Sequence, residues 1–267
     1  MCLAPFVAAA DAVPSCTKPA ALALVDSTVS IVREFPTERG TRLVSGSAWG
    51  FAPQTLATVG HVARDLRLSE SDWQPLTIAR SEEEHGEAKA VLLTEARIIK
   101  QNTEAAEEAA VLIELRDPLP EGMLLPERRF RPLARDEAVM AVGYPTMTLR
   151  AAVGAFTLPE PSPEAQSRSG DPSALLRFVL VDPDDRDTRA LGPGASGAPI
   201  VDCAGRVVAV ISGVVDRGPE LSEGFRQMAR LLDGNGFASA EGLEPMLQQL
   251  EAMQHVVYGL PISYFEN

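Results

Sequence analysis

The sequence predicts an all-β protein built from two similar β domains, and three observations favour this fold class. Many short segments alternate apolar and polar residues with the period of two that is typical of a half-buried strand, as in Thr28–Arg33. The segment Arg116–Gly122, with two prolines and a glycine, separates two halves that are both rich in such segments. The 267 residues suffice for two small domains with their own cores.

The first half contains the predicted strands of an N-terminal β domain over residues 26–120, preceded by a leader or disordered N-terminus over residues 1–25. A Pro-containing turn, Ala52-Pro53-Gln54, separates two of these strands. The predicted strands are Thr28–Arg33, Arg42–Phe51, Leu56–Val59, a segment with two apolar runs at Ala88–Ile99, and Ala109–Leu115.

The second half, residues 121–267, is predicted to form the C-terminal β domain. Within it, residues 223–253 place apolar side chains at helical spacing, which indicates a helical insertion. The predicted strands are Ala138–Tyr144, Ala151–Leu158, Leu175–Val181, Pro199–Val201, Val207–Val214 and a last strand at Val256–Phe265.

Composition excludes several function classes. With 24 Lys and Arg against 37 Asp and Glu, the net charge of −13 argues against nucleic-acid binding, which needs clustered basic residues. No run of about 18 apolar residues occurs, so no membrane-spanning segment is expected. The sequence has no spacing typical of a metal site and indicates no cofactor. Of three cysteines at least one must stay unpaired within the chain, and Cys203, which follows an apolar run, is expected in the core.

The segment Leu191–Val201 places Ser196 among small and ring-locked residues, directly before an apolar run. Glycines on either side allow a turn that aims backbone N–H groups at one point beside an exposed hydroxyl. A nucleophile with donors placed where negative charge develops is the arrangement that acyl transfer requires. The alternative is a tight Gly/Pro turn that merely joins two strands.

Only one of the three histidines has a suggestive context. His61 follows the predicted strand Leu56–Val59 and has small neighbours, whereas His85 lies in a charged loop and His255 has no motif around it. A single histidine at a strand end is more often structural than catalytic, but together with Ser196 it becomes a candidate general base.

These segments together resemble the trypsin-like serine peptidases, and within them the bacterial Deg/HtrA-type and related extracytoplasmic peptidases without a PDZ domain. The resemblance implies a chymotrypsin-like fold of two six-stranded antiparallel β-barrels, a site in the cleft between them, a polypeptide substrate, and a periplasmic or secreted rather than cytoplasmic location. It rests on the segments Ser45–Phe51, Leu56–Val62, Ala109–Leu112, Val139–Pro145, Gly192–Pro199 and Gly205–Val210.

The resemblance also implies roles for individual residues. Ser196 is the nucleophile, His61 the general base, and the backbone N–H groups of Gly194 and Ser196 form the oxyanion hole. Ala198 stands where the family usually has glycine, which adds a methyl group beneath the nucleophile.

The third member of the triad departs from the family pattern, because Glu108 stands where an aspartate is usual. Glutamate is one methylene longer, yet it can accept a hydrogen bond from the imidazole and orient it. The alternative is an acidic surface patch formed with Glu104 and Glu107, with a weakened triad and a pseudopeptidase that serves as a binding module. Asp65 and Asp117 are poorer candidates because neither directly precedes the strand.

The resemblance places Ala190 at the base of the primary specificity pocket and Ser212, Gly213 and Val214 on the strand that pairs with substrate. Ala190 carries no charge, Gly213 leaves room, and Val214 narrows the pocket mouth. We therefore expect a preference for small or medium apolar side chains. An esterase using the same machinery is a further alternative, and the oligomeric state stays open.

Overall fold

Two closed six-stranded antiparallel β-barrels make up the computed structural model, as the sequence predicts. Within each barrel, alternate side chains face the interior, which explains the period of two along the strands. The structure describes residues 16–17, 21, 24–81, 83, 85–102, 109–157, 175–184, 190–214 and 256–266.

The first barrel closes through pairing of its first and fourth strands, in the order β1-β2-β3-β6-β5-β4. A short helix, α1 (Gly60–Asp65), follows β3. The strands are β1 (Thr28–Thr37), β2 (Gly40–Ala52), β3 (Thr55–Val59), β4 (Gln74–Arg80), β5 (Lys89–Asn102) and β6 (Ala110–Leu115).

Two features of this barrel differ from the sequence prediction. Strand β4 was not predicted, because it begins with Gln-Pro and shows its alternation only through Leu76 and Ile78, both buried. The two apolar runs predicted at Ala88–Ile99 form the single strand β5, whose pairing with β6 shifts register between Ile98 and Lys100.

The second barrel repeats the topology of the first, in the order β7-β8-β9-β12-β11-β10. The predicted last strand ends early, at Pro261, and a one-turn 3-10 helix at Ile262–Phe265 follows it. The predicted helical insertion at 223–253 lies outside the described residues. The strands are β7 (Ala138–Gly143), β8 (Arg150–Thr157), β9 (Leu176–Val181), β10 (Pro199–Asp202), β11 (Val207–Val214) and β12 (Val256–Pro261).

The barrels are packed against each other through buried side chains. Phe265, after the last strand, meets Trp49 of β2 with their ring centroids 6.4 Å apart. Tyr144, after β7, is buried, and its hydroxyl accepts a hydrogen bond of 3.0 Å from the backbone N–H of Ser81 after β4. Burial raises the pKa of the Tyr144 phenol, so it stays neutral in this contact.

A disulfide corrects the expectation for Cys203. This residue is exposed in the turn between β10 and β11, and it is bonded to Cys16, 187 residues earlier, with 5.3 Å between the Cα atoms. The prediction of a core position was wrong because Cys203 lies just past the end of β10. Of the predicted leader, Cys16, Ala21 and Leu24 are buried, and residues 1–15 lie outside the described part.

Across the described ranges, no helix combines the length and apolar character needed to cross a membrane.

Candidate active site

Ser196 lies in a tight turn that leads into β10. Gly194 and Gly197 have φ angles of +96° and +90°, which only glycine adopts readily. Within the turn, the N–H of Ala195 donates to Gly192 O and the N–H of Ala198 donates to Ala195 O, both at 3.0 Å. Ser196 is partly exposed while its direct neighbours Ala195 and Gly197 are buried.

Backbone contacts with both barrels hold the Ser196 turn. The N–H of Ser47 on β2 donates to Ser196 O at 2.8 Å, and the N–H of Gly197 donates to Ile211 O at 2.7 Å. A Cβ built on Gly197 would lie 1.9 Å from Ser47 O and 2.2 Å from Thr58 Oγ1. Glycine is therefore required at 197 by its φ angle and by the closeness of β2.

His61 is the second residue of α1 and is half-buried. The preceding N–H, of Gly60, donates to Ala109 O at 2.8 Å, which ties the start of the helix to the approach to β6. On the other side, Val62 packs on β2, since a Cβ built on Gly46 would lie 2.5 Å from Val62 Cγ1.

The helix that carries His61 and the turn that carries Ser196 thus meet the same short piece of β2. Gly46 contacts Val62, and the adjacent Ser47 bonds to Ser196. Two segments far apart in sequence thus contact adjacent residues of one strand at the interface of the barrels, where ligand sites are common.

The predicted acidic residues have separate outcomes. Glu108 lies outside the described residues, as do Glu104 and Glu107. Asp117 is exposed and accepts a hydrogen bond of 2.8 Å from Thr94 Oγ1 on β5, and Asp65 is exposed at the end of α1.

The other two histidines have separate outcomes. His85 is exposed and contacts Arg150 at the start of β8, and His255 lies outside the described residues.

The predicted pocket residues lie around the Ser196 turn. Ala190 is buried, with 3% exposure, in an apolar cluster that includes Ala195 and Ala198. Ser212 is buried on β11, and apart from Gly213 and its chain neighbours no described residue has an atom within 4 Å of a Cβ built on Gly213. Val214 ends β11, and its side chain lies outside the described residues.

The extra methyl group of Ala198 fits because of a glycine opposite it. Ala198 is fully buried, and a Cβ built on Gly143 at the end of β7 would lie 3.0 Å from its Cβ. The absence of a side chain at Gly143 leaves the room that the methyl group takes.

Sequence reasoning did not single out Ser47, although it lies within the segment Ser45–Phe51 that carries part of the resemblance. Its hydroxyl donates to Gly194 O at 2.8 Å and accepts from the N–H of Tyr144 at 3.0 Å. Its carbonyl accepts from Thr58 Oγ1 at 2.8 Å. The signal available in the sequence was a serine between two small residues in a strand otherwise suited to apolar ones.

Two closed barrels of one topology, with this turn at their interface, define the chymotrypsin-like double-barrel class. Comparison with solved structures agrees. The chain is similar to the active form of the Rv3671c protease from M. tuberculosis, with 16% identity, a TM-score of 0.53, and coverage of 100% of this chain and 92% of that one. The inactive form matches with 14% identity and a TM-score of 0.51, covering 93% and 89%.

A second protein has a similar fold. The HtrA-type protease AlgW, solved with a tripeptide, matches with 14% identity and a TM-score of 0.54, covering 94% of this chain and 60% of that one. No protein-family model and no curated protein matches the chain. The chain therefore has the trypsin-like protease fold, and the predicted resemblance is confirmed at that level.

Proposed function

We propose that this chain is a serine endopeptidase that hydrolyses peptide bonds through an acyl-enzyme. The observation that carries the proposal is the double contact on β2, where Gly46 meets the helix of His61 and Ser47 bonds to Ser196. A half-exposed serine in a glycine turn next to the helix of a histidine is the arrangement that nucleophilic catalysis uses.

The proposed reaction has two stages. Ser196 Oγ bonds to the carbonyl carbon of the substrate while its proton moves to His61 Nε2, and the N–H groups of Gly194 and Ser196 stabilise the oxyanion. The C–N bond then breaks as His61 returns the proton to the leaving amine. Water, deprotonated by His61, releases the acyl group from Ser196 in the same way.

Glu108 is proposed to orient His61. The support is the hydrogen bond of 2.8 Å from the N–H of Gly60 to Ala109 O, since these two residues directly adjoin His61 and Glu108 in the chain. Glu108→Gln should lower the rate of Ser196 modification strongly, because the amide cannot stabilise the imidazolium as a carboxylate does. Glu107→Gln is the matched control, and an equal effect of both changes would reject the role.

The proposed substrate has a small or medium apolar side chain before the cleaved bond. Ala190 has no charge and lies among apolar side chains. Beyond the chain neighbours of Gly213, no described residue fills the space where its side chain would lie. Cleavage of a peptide library, with products sequenced, tests this preference. Steady cleavage after arginine would contradict it.

An oxidising, extracytoplasmic compartment is proposed from the disulfide between Cys16 and Cys203, since such bonds persist mainly in periplasmic and secreted proteins.

The decisive experiment is labelling with a fluorophosphonate, followed by mass spectrometry of the modified peptide. Wild type should be modified at Ser196, whereas Ser196→Ala and His61→Ala should not react. Peptide cleavage alongside labelling separates a peptidase from an esterase. A wild-type protein that folds but does not react would overturn the proposal and leave the double barrel as a binding module.

A further inference from the structure

We infer that Ser47 is a positioning residue, a first-barrel hydroxyl that fixes the direction of the Gly194 N–H in the second barrel. The inference rests on the proposed function, because the Gly194 N–H is one of the two proposed oxyanion donors. Ser47 is fully buried, and its Oγ lies between the two segments it joins, donating to Gly194 O at 2.8 Å and accepting from the N–H of Tyr144 at 3.0 Å.

Gly194 needs an external restraint. Its φ is +96°, and a glycine without a Cβ moves between backbone conformations at little cost. A rotation of either adjoining peptide plane would turn its N–H away from the place where the oxyanion forms. Donors of an oxyanion hole contribute to catalysis because they are fixed before the reaction.

Both peptide planes next to Gly194 are held. The carbonyl of Pro193 accepts a hydrogen bond of 3.0 Å from the N–H of Thr146, and the carbonyl of Gly194 accepts one of 2.8 Å from Ser47. Because C=O and N–H point in opposite directions in a trans peptide, the Thr146 bond sets the plane that contains the Gly194 N–H. The Ser47 bond holds the plane that follows, together with the bond of 3.0 Å from the N–H of Ala195 to Gly192 O, and these bonds fix the φ and ψ angles of Gly194.

The Ser47 hydroxyl also holds the segment that provides the Thr146 bond. Its second hydrogen bond is to the N–H of Tyr144, two residues before Thr146. Thr146 has a φ of +49°, which is unusual for a β-branched residue and needs support from its surroundings. Loss of one hydroxyl therefore weakens the hold on both peptide planes of Gly194.

The strand opposite provides a matched control. Ser30 on β1 is the direct pairing partner of Ser47 and is equally buried. Among the described residues, its Oγ has no hydrogen-bond partner. Ser30→Ala and Ser47→Ala thus remove the same group from neighbouring places in one barrel, and only the second removes a bridge to Gly194.

The test compares steady-state peptide hydrolysis by wild type, Ser47→Ala and Ser30→Ala, with each protein normalised by fluorophosphonate titration of active sites. Removal of one oxyanion donor lowers kcat by about 100- to 1000-fold, so a misdirected donor should lower it by about 10- to 100-fold in Ser47→Ala. KM should stay within about threefold, because ground-state binding does not use the oxyanion. The affinity for a peptide aldehyde should fall in step with kcat.

Ser30→Ala should leave kcat, KM and aldehyde affinity unchanged. Equal kcat in Ser47→Ala and Ser30→Ala would overturn the inference, as would a loss confined to KM or to the fraction of active sites. If Ser47→Ala does not fold, Ser47→Cys replaces it, since a thiol is of similar size and a weak donor. That variant should lose kcat in the same direction, and a wild-type kcat would reject the role of Ser47. An unreactive wild type would instead refute the proposed function.

Discussion

Replacement of Gly197 by alanine tests the geometry of the Ser196 turn most directly. The new methyl group would lie 1.9 Å from the carbonyl oxygen of Ser47 and 2.2 Å from Thr58 Oγ1. The first contact is with the backbone of a central strand, which cannot rotate away as a side chain can. Relief would require the turn to move off β2 and to break the bond between the Ser47 N–H and Ser196 O.

The expected loss of stability is the sum of a backbone cost and a steric cost. Gly197 has a φ of +90°, and a left-handed backbone costs an alanine about 1–2 kcal/mol. Forcing a methyl group into a packed site costs about 1–3 kcal/mol more. The free energy of unfolding should therefore fall by about 2–5 kcal/mol. This is a large part of the roughly 5–15 kcal/mol by which a typical domain is stable.

Two other glycines separate these terms. Gly122 has a φ of +79° and Gly192 has no positive φ. In both cases no described residue beyond the chain neighbours has an atom within 4 Å of a built Cβ. Gly122→Ala should show the backbone term alone, about 1–2 kcal/mol. Gly192→Ala should show neither term.

The assay is urea unfolding of the three variants and wild type, followed by tryptophan fluorescence, with the fluorophosphonate labelling rate as a second readout for Gly197→Ala. A stability loss in Gly197→Ala no larger than in Gly122→Ala would refute the steric argument. Wild-type stability in Gly197→Ala would refute the whole account of the turn.

Two further predictions concern stability away from the site. The double variant Cys16→Ser with Cys203→Ser should have a free energy of unfolding about 2–4 kcal/mol lower than wild type, because the disulfide restricts the unfolded chain. An unchanged midpoint of urea unfolding would contradict this. The hydrogen bond from Arg129 lowers the pKa of the Glu137 carboxyl, so its stabilisation is present above the unfolded pKa of about 4.3 and is lost as pH falls through the lower folded pKa. Glu137→Gln should flatten the decline of Tm between about pH 5 and 3, and an unaltered decline would show that this pair is not responsible.

The sequence allowed prediction of those parts of the fold that depend on local pattern. The alternation in Thr28–Arg33 predicted the core of β1, and the glycines around Ser196 predicted a turn, because period and backbone freedom are properties of neighbouring residues. Strand β4 (Gln74–Arg80) escaped prediction because its proline and short alternation give a weak local signal, whereas pairing with β1 and β5 stabilises it in the barrel.

Other features depend on residues far apart in the chain. The partner of Cys203 is 187 residues away, and nothing in the turn after β10 indicates it. The role of Ser47 depends on Gly194, which the fold brings to it from 147 residues later. Contacts of this kind follow from the docking of two barrels, which local pattern does not encode.

The arrangement of the barrels gives the Ser196 turn a particular dependence on the first barrel. The two barrels share one topology, so either could in principle present a loop at their interface. The turn belongs to the second barrel, yet Ser47 of the first barrel contacts it with three groups: its N–H bonds to Ser196 O, its Oγ bonds to Gly194 O, and its carbonyl oxygen lies against Gly197. A displacement of β2 would therefore move the proposed nucleophile and the proposed oxyanion donor together. Because α1 also packs on β2 at Gly46, the same strand holds both the helix that carries His61 and the turn that carries Ser196, so the register of β2 links the positions of these two segments.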